Sequence, residues 1–308
     1  MRFVILGAGA MGSLFAAHLA KTGAQTWVVD RWQEHIEAIR SGGLTVKHES
    51  GESVVRLNAT TDASQPGPGD VVMVFVKYNQ TREALSAARA LVGPRTVLLT
   101  LQNGLGNVET IRALFPANRI FYGLTTLTSE MLGPARIEAS YAGRGETYLW
   151  AHDGKRDAGL EAVCSLLASG GINAALAPDI ELRIWKKLIV NCSLNPLCAI
   201  TRLPVGRLAE RADAWPVLEG VVREIVAAAG RKGIALHEAE ALAFLRAVAH
   251  EARNHFPSML IDVQGRRATE IDCLNGAVLR ECERLGIDAP FNRTLYSLIR
   301  VIESSYGT

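Results

Sequence analysis

The sequence predicts an α/β N-terminal domain, built on a buried parallel sheet with crossover helices, followed by an all-α C-terminal domain. Three observations predict it. Short β-branched apolar runs alternate with helical stretches through the first half of the 308 residues, glycines punctuate the first strand-to-helix junction, and strand signals almost vanish after Pro178. The expected domains are residues 1–178 and 179–308, in keeping with roughly 100–200 residues per domain.

The composition is that of an ordinary globular protein: 48% hydrophobic and 21% charged, with Lys plus Arg at 33, Asp plus Glu at 31 and a formal charge of +2. Disorder and collagen-like repetition are excluded. The charge is evenly shared between the two halves, so no basic nucleic-acid surface is expected. Cys164, Cys192, Cys198, Cys273 and Cys282 contain no pair at two-residue spacing, and the seven histidines form no H-E-x-x-H, so no metal site is expected. An odd number of thiols without a disulfide framework suits a reducing compartment, and a cytoplasmic location is expected. Arg2 and the apolar stretch to Ala17 imitate a secretory signal, but Gly7, Gly9 and Gly12 fit a strand, a tight turn and a helix instead. No run reaches the ~18 apolar residues of a membrane span, so a soluble protein is expected.

In chain order, the strands are Phe3 to Leu6, Thr26 to Val29, Val71 to Val76, Thr96 to Leu101 and Ile120 to Leu124, each a short run suited to a sheet buried on both faces. Gln80 to Leu91 and Asn107 to Phe115 are long enough for crossover helices, giving right-handed βαβ units. Ala135 to Ala139 and Glu146 to Ala151 read as two strands around a turn at Ala142 to Gly145, extending the sheet in antiparallel fashion. After Lys155 the pattern turns helical. Ala214 to Ala229 carries Val217, Val221, Val222 and Ile225 at helical spacing, and Leu236 to Ala249, Ser258 to Leu285 and Phe291 to Ile302 behave similarly. With no repeat and no low-complexity linker, the domains are expected to pack closely around a ligand-binding cleft. The apolar helices of the second half suit a homodimer surface as well as they suit a core, and both readings stay open.

Gly7, Gly9 and Gly12 stand in G-x-G-x-x-G spacing directly after the first strand and open the helix Met11 to Lys21. In that context the first glycine allows the tight turn, the second lets backbone approach a pyrophosphate, and the third lets helix and strand pack, with the helix N-terminus attracting phosphate. The first half is therefore expected to be a Rossmann-like dinucleotide-binding domain, with Gly7, Gly9, Ala10, Met11 and Gly12 along the cofactor. Asp30 ends the second strand 18 residues beyond Gly12, where an acid accepts hydrogen bonds from the adenosine ribose. It also suits an N-cap for a helix Trp32 to Arg40. Arg31 can pair with a 2′-phosphate that Asp30 would repel, so the residues argue both for NADP and for NAD. Lys77 and Asn103 follow the strands ending at Val76 and Leu101, at the sheet edge that lines the ligand crevice in this architecture.

In the second half, Lys187, Asn191 and Asn195 recur at four-residue steps along one helical face, with Pro196 expected to bend the chain at Asn195. Ser258, Asp262, Arg266, Glu270 and Asn275 form a second polar series, for which an N-cap at Ser258 and surface ion pairs are the plain reading. Taken together, these residues resemble the 2-dehydropantoate 2-reductase, or ketopantoate reductase, family over nearly the whole chain. The family's W-x-K-L-x-x-N-x-x-x-N-P run appears as Trp185-Lys186-Lys187-Leu188-Ile189-Val190-Asn191 and Asn195-Pro196. Its later elements appear as Ser258-Met259, Asp262, Thr269-Glu270-Ile271-Asp272 and Asn275-Gly276, and its basic residue after the second strand as Arg31.

The resemblance implies an oxidoreductase that reduces the ketone of 2-dehydropantoate to pantoate with hydride from NADPH, on the route to pantothenate and coenzyme A. It makes Lys187 and Glu270 catalytic, places Asn103, Asn191, Asn195 and Ser258 on the small keto-acid substrate, and gives Lys77 and Asn103 to the cofactor crevice. Protonated Lys187 can donate a proton to the carbonyl oxygen and stabilise its developing charge. Asp30 is the position that admits NAD. The competing readings are a reductase of another 2-keto acid, a β-hydroxyacid-type substrate or an imine, an NAD(P) sensor without turnover, and a methyltransferase. Lys187 and Glu270 speak against the sensor, and the full glycine spacing against the methyltransferase.

Overall fold

A computed structural model describes residues 1–139 and 145–307 and divides the chain into two compact units. The first contains residues 1–102 and 107–180; the second contains residues 103–106 and those from 181 onward.

The first unit opens with β1 (Arg2–Leu6), α1 (Ala10–Ala20), β2 (Gln25–Val29), α2 (Gln33–Gly42), β3 (Leu44–His48), β4 (Gly51–Val55), β5 (Asn58–Thr60) and β6 (Val71–Val74). It continues with α3 (Thr81–Ala87), β7 (Val97–Thr100), α4 (Asn107–Leu114), β8 (Ile120–Thr125), β9 (Ser129–Gly133), β10 (Arg136–Ala139), β11 (Glu146–Ala151), α5 (Ala158–Ser169) and β12 (Asn173–Leu176). Eight strands form one sheet in the order β12-β11-β8-β7-β6-β1-β2-β5. All neighbours in it are parallel except β8 and β11. Alternate residues of β1 explain why its run is continuously apolar. Phe3 and Ile5 enter the core shared with α1 and α5, whereas Val4 and Leu6 enter the core shared with α3 and α4.

Five strands lie outside the sequence expectation: β3, β4, β5, β9 and β12. None is a continuous apolar run: β4 buries one residue, β9 and β12 bury none, and β5 is only three residues long. β3 reads Leu-Thr-Val-Lys-His with Leu44 and Val46 buried and the residues between them partly exposed. Four strands make a second sheet, β4-β3-β10-β9, whose β3, β9 and β10 lie against α1. The expected hairpin between residues 135 and 151 is corrected here. β10 joins the small sheet, parallel to β3 and antiparallel to β9, while β11 joins the large sheet antiparallel to β8. Pattern identifies a strand but not its partner, because β10 buries Ile137 and Ala139 beneath α1 rather than against β11. Most of the turn expected there, residues 142–144, lies outside the described residues.

The second unit holds α6 (Ile180–Thr201), α7 (Val205–Ala209), α8 (Trp215–Arg231), α9 (Glu238–Glu251), α10 (Ser258–Gln264), α11 (Asn275–Leu285) and α12 (Pro290–Ser304). Its regular structure among the described residues is helical. Leu218, Val221, Val222 and Ile225 line the buried face of α8. One expectation fails locally. The helix expected over Ser258 to Leu285 is broken between α10 and α11: Gly265 ends α10 and Arg266 takes a positive φ of 51° that a helix cannot contain.

At Pro196, where a bend is expected, α6 continues through the proline as one helix. Proline at 196 has no N–H for the carbonyl of Cys192, and Asn275 Nδ2 donates to that carbonyl instead, at 3.0 Å. A side chain 83 residues away thus satisfies what the helix leaves open.

Among the described residues no helix is long and apolar enough to cross a membrane. All five cysteines are free and buried.

Candidate active site

In the first unit the glycines occupy three physically different situations. Gly7 has φ +100° and donates its N–H to Val29 O at 2.9 Å, and a Cβ there would lie 2.7 Å from the Val76 nitrogen. A Cβ on Gly12 would lie 1.9 Å from Gly7 O, so α1 can pack on the turn only with glycine at that place. A Cβ on Gly9 would meet nothing within 4 Å. Gly9 is exposed, and α1 begins behind it at Ala10, with Ala10 and Met11 partly exposed and no side-chain cap. Open space in front of an uncapped helix N-terminus is where a phosphate group fits.

Asp30 is tied to the same turn. Its Oδ2 accepts from the Ala8 N–H at 2.7 Å and its Oδ1 from the Trp32 N–H at 2.9 Å. The expected N-cap of the next helix is therefore corrected: α2 starts after Trp32 without a side-chain cap, and the carboxylate braces the glycine turn. Arg31 is exposed. Lys77 begins a short 3₁₀ turn after β6 and is partly exposed.

Sequence reasoning missed three residues that shape these loops. Gln102 donates from Nε2 to Val76 O and to Thr81 Oγ, and accepts at Oε1 from Thr100 Oγ, so it clamps the loop that carries Lys77. Ser13 donates to Ala8 O at 2.9 Å and lies 3.3 Å from Nε2 of the fully buried His35. The Nδ1 of His35 accepts the Ala135 N–H at 2.9 Å. A polar residue inside an apolar helix, Ser13, was the available signal.

In the second unit, Lys187 Nζ donates to Asn103 Oδ1 at 2.8 Å, and Asn103 Nδ2 donates to Glu270 Oε2 at 3.1 Å. One carboxamide thus bridges an ammonium and a carboxylate that are 83 residues apart in sequence. Burial pushes the pKa of Lys187 down to about 8, and the charge of Glu270 opposes that shift. Such a lysine can both hold and release a proton near neutral pH. Asn191 and Asn195, partly exposed, follow Lys187 on the same face of α6.

Glu270 stands in the irregular segment between α10 and α11, not on a helix. Ser258 is the exposed first residue of α10, whose cap position is Pro257, so the expected cap at Ser258 is corrected. The expected ion pairs at four-residue steps also give way. Asp262 accepts from Arg267 Nε at 3.1 Å, while Arg266 donates to the Ser305 and Tyr306 carbonyls.

Residues 3–154 match the family described as ketopantoate reductase PanE/ApbA, and residues 179–303 match its C-terminal counterpart. This chain belongs to the ketopantoate reductase family. A 2-dehydropantoate 2-reductase of Streptococcus pyogenes serotype M18 is 33% identical over 307 residues, covering 99% of this chain and 98% of its own. One of Archaeoglobus fulgidus is 33% identical over 304 residues, 98% of each chain. Among solved structures, a ketopantoate reductase from Ralstonia eutropha JMP134 superposes with a TM-score of 0.91 at 31% identity. A D-mandelate dehydrogenase with NADH and anilino(oxo)acetate does so with 0.93 at 28%, and in both cases all of each chain is covered.

This ketopantoate reductase-type protein is an NAD(P)-dependent oxidoreductase with a Rossmann-like first unit and a helical second one. Because a Cβ at position 12 overlaps Gly7 O, Gly12→Ala is expected to raise the Kd for reduced nicotinamide cofactor at least ~10-fold by pushing α1 off the turn, a loss of about 1.4 kcal/mol or more in cofactor binding. Cofactor titration followed by protein fluorescence measures it, and wild-type affinity would show that the turn does not shape the site.

Proposed function

We propose that this reductase converts 2-dehydropantoate to pantoate with NADPH, in the cytoplasm, on the route to pantothenate and coenzyme A. The observation that carries the reading is the Lys187–Asn103–Glu270 array, a half-buried ammonium held by an amide that a carboxylate holds in turn. Residues 1–178 would bind the dinucleotide through Gly7, Gly9, Ala10, Met11, Gly12, Asp30, Arg31 and Lys77, and residues 179–308 would carry the catalytic lysine.

Bound reduced nicotinamide supplies the hydride. Lys187 gives its proton to the keto oxygen and stabilises the negative charge that develops there. Asn103 orients the ammonium, and Glu270 fixes the amide so that its oxygen, not its nitrogen, faces Lys187. Asn191, Asn195 and Ser258 are assigned to the hydroxyl and carboxylate of the substrate. For the cofactor, both oxygens of Asp30 already accept a backbone N–H, which offsets part of its repulsion of a 2′-phosphate beside Arg31.

A second reading, reduction of a different 2-keto acid with NADH, is favoured by the acid at position 30 and by the likeness to the NADH-bound D-mandelate dehydrogenase. Loss of reduced-nicotinamide absorbance, followed with NADPH and NADH against 2-dehydropantoate and an aryl 2-keto acid, separates the two. The expected result is the highest kcat/KM with 2-dehydropantoate and NADPH. Turnover confined to the aryl acid with NADH would overturn the first reading in favour of the second.

A further inference from the structure

The Asn103 amide can serve Lys187 and Glu270 at once only if its backbone is held, and the contact that holds it lies one residue on. Gly104 has φ +79°, and a Cβ there would lie 2.2 Å from Cys273 O, 2.7 Å from Cys273 C and 2.8 Å from Cys273 Sγ. The next residue, Leu105, donates its N–H to the same Cys273 O at 2.9 Å. Cys273 belongs to the turn that begins at Glu270: the N–H groups of Cys273 and Leu274 both donate to Glu270 O at 3.2 Å, and Cys273 Sγ donates to it at 3.3 Å. We infer that the backbone contact of Gly104 with Cys273 is the positioning element that sets Asn103 between Lys187 and Glu270.

Two segments distant in sequence meet peptide on peptide at that point, and glycine is required twice over. Its φ is one that L side chains rarely adopt, and its missing Cβ is what lets the Cys273 carbonyl reach the Leu105 N–H. Any side chain at 104 must lift the loop away from the 270–274 turn. The lift moves Asn103 relative to both partners, while the glycine turn at Gly7 to Gly12 is untouched. The inference rests on the proposed role of Lys187, Asn103 and Glu270, so its test includes a measurement that needs no substrate.

Gly104→Ala is expected to lower kcat by about 10²-fold, the cost of a misplacement on the scale of 1 Å, with the KM for NADPH changed by less than about twofold. In an Asn103→Ala background the same substitution is expected to change kcat by less than about twofold, since it acts through that amide. NMR titration of isotope-labelled lysine, with the Lys187 resonance identified by its absence in Lys187→Met, is expected to show the midpoint displaced in the same direction in Gly104→Ala and Asn103→Ala.

A wild-type midpoint in Gly104→Ala, or an undiminished kcat loss in the Asn103→Ala background, would overturn the inference. Should Gly104→Ala fail to fold, Cys273→Val, which crowds the buried turn beside Gly104 and removes the Sγ donor to Glu270 O, carries the same comparisons with a loss of about 10-fold in kcat. Absence of 2-dehydropantoate turnover in the wild type would count against the proposed substrate, and the lysine titration would still decide the role of Gly104.

Discussion

Lys187→Ala is expected to lower keto-acid reduction by about 10²- to 10⁴-fold while leaving reduced-cofactor binding at its wild-type level. The ammonium is the charged donor of the Lys187–Asn103–Glu270 array, whose three members belong to the second unit. The lowered pKa gives the substitution a companion in pH. A proton donor must be protonated to act, so the wild-type reduction rate is expected to fall as pH rises through about 8, and the reverse oxidation, which needs the neutral amine, to rise over the same interval. Stopped-flow hydride transfer from pH 6 to 10 measures both limbs. Near-native turnover in Lys187→Ala, or a reduction rate that is flat across pH 8, would reject Lys187 as the acid.

Glu224→Leu is expected to destabilise the protein by about 3–5 kcal/mol, a large part of the roughly 5–15 kcal/mol that a domain holds. Glu224 is a buried carboxylate on α8 whose Oε1 accepts the Phe291 N–H at 2.7 Å, while its Oε2 accepts the Asn292 N–H at 2.9 Å and Asn292 Nδ2 at 2.7 Å. α12 starts with Pro290 behind Ala289 and has no side-chain cap of its own, so Glu224 supplies from another helix the negative charge that a helix N-terminus favours. The chain of bonds continues: Asn275 Nδ2 donates both to Asn292 Oδ1 and to the Cys192 carbonyl that Pro196 leaves open. Leucine would bury three donors without an acceptor. Glutamine keeps one carbonyl oxygen and is expected to cost less. Urea unfolding should show a lower midpoint at an unchanged m value, and a midpoint within experimental error of the wild type would refute the network's contribution.

The glycine triplet was legible because its three constraints are local. A turn with positive φ, a close helix and an open approach for phosphate each act within a dozen residues, and sequence spacing encodes them directly. The central strands were legible for a related reason: burial on both faces forces a continuous apolar run, as in Val71 to Val74. Three strands of the small sheet, β3, β4 and β9, were not, because a strand that is partly exposed carries at most alternation, and alternation over five residues does not stand out. Glu270 was legible through the resemblance alone. Its place at the end of the four-residue steps Asp262, Arg266, Glu270 suggested one helix with ion pairs, whereas Arg266 turns the chain with φ 51° and frees Glu270 for Asn103.

Sequence alone determined the α/β-then-helical order, the glycine turn and the identity of the residues that carry charge or hydrogen bonds, since these follow from composition, periodicity and short-range spacing. Only the tertiary structure decided which strands pair, that Asp30 braces the glycine turn through Ala8, that Asn275 replaces the hydrogen bond lost at Pro196, and that Asn103 stands between Lys187 and Glu270. Each of these is a partnership between groups far apart along the chain, or across a turn, favoured because burial makes a donor or acceptor without a partner costly. That choice is a property of the folded arrangement as a whole.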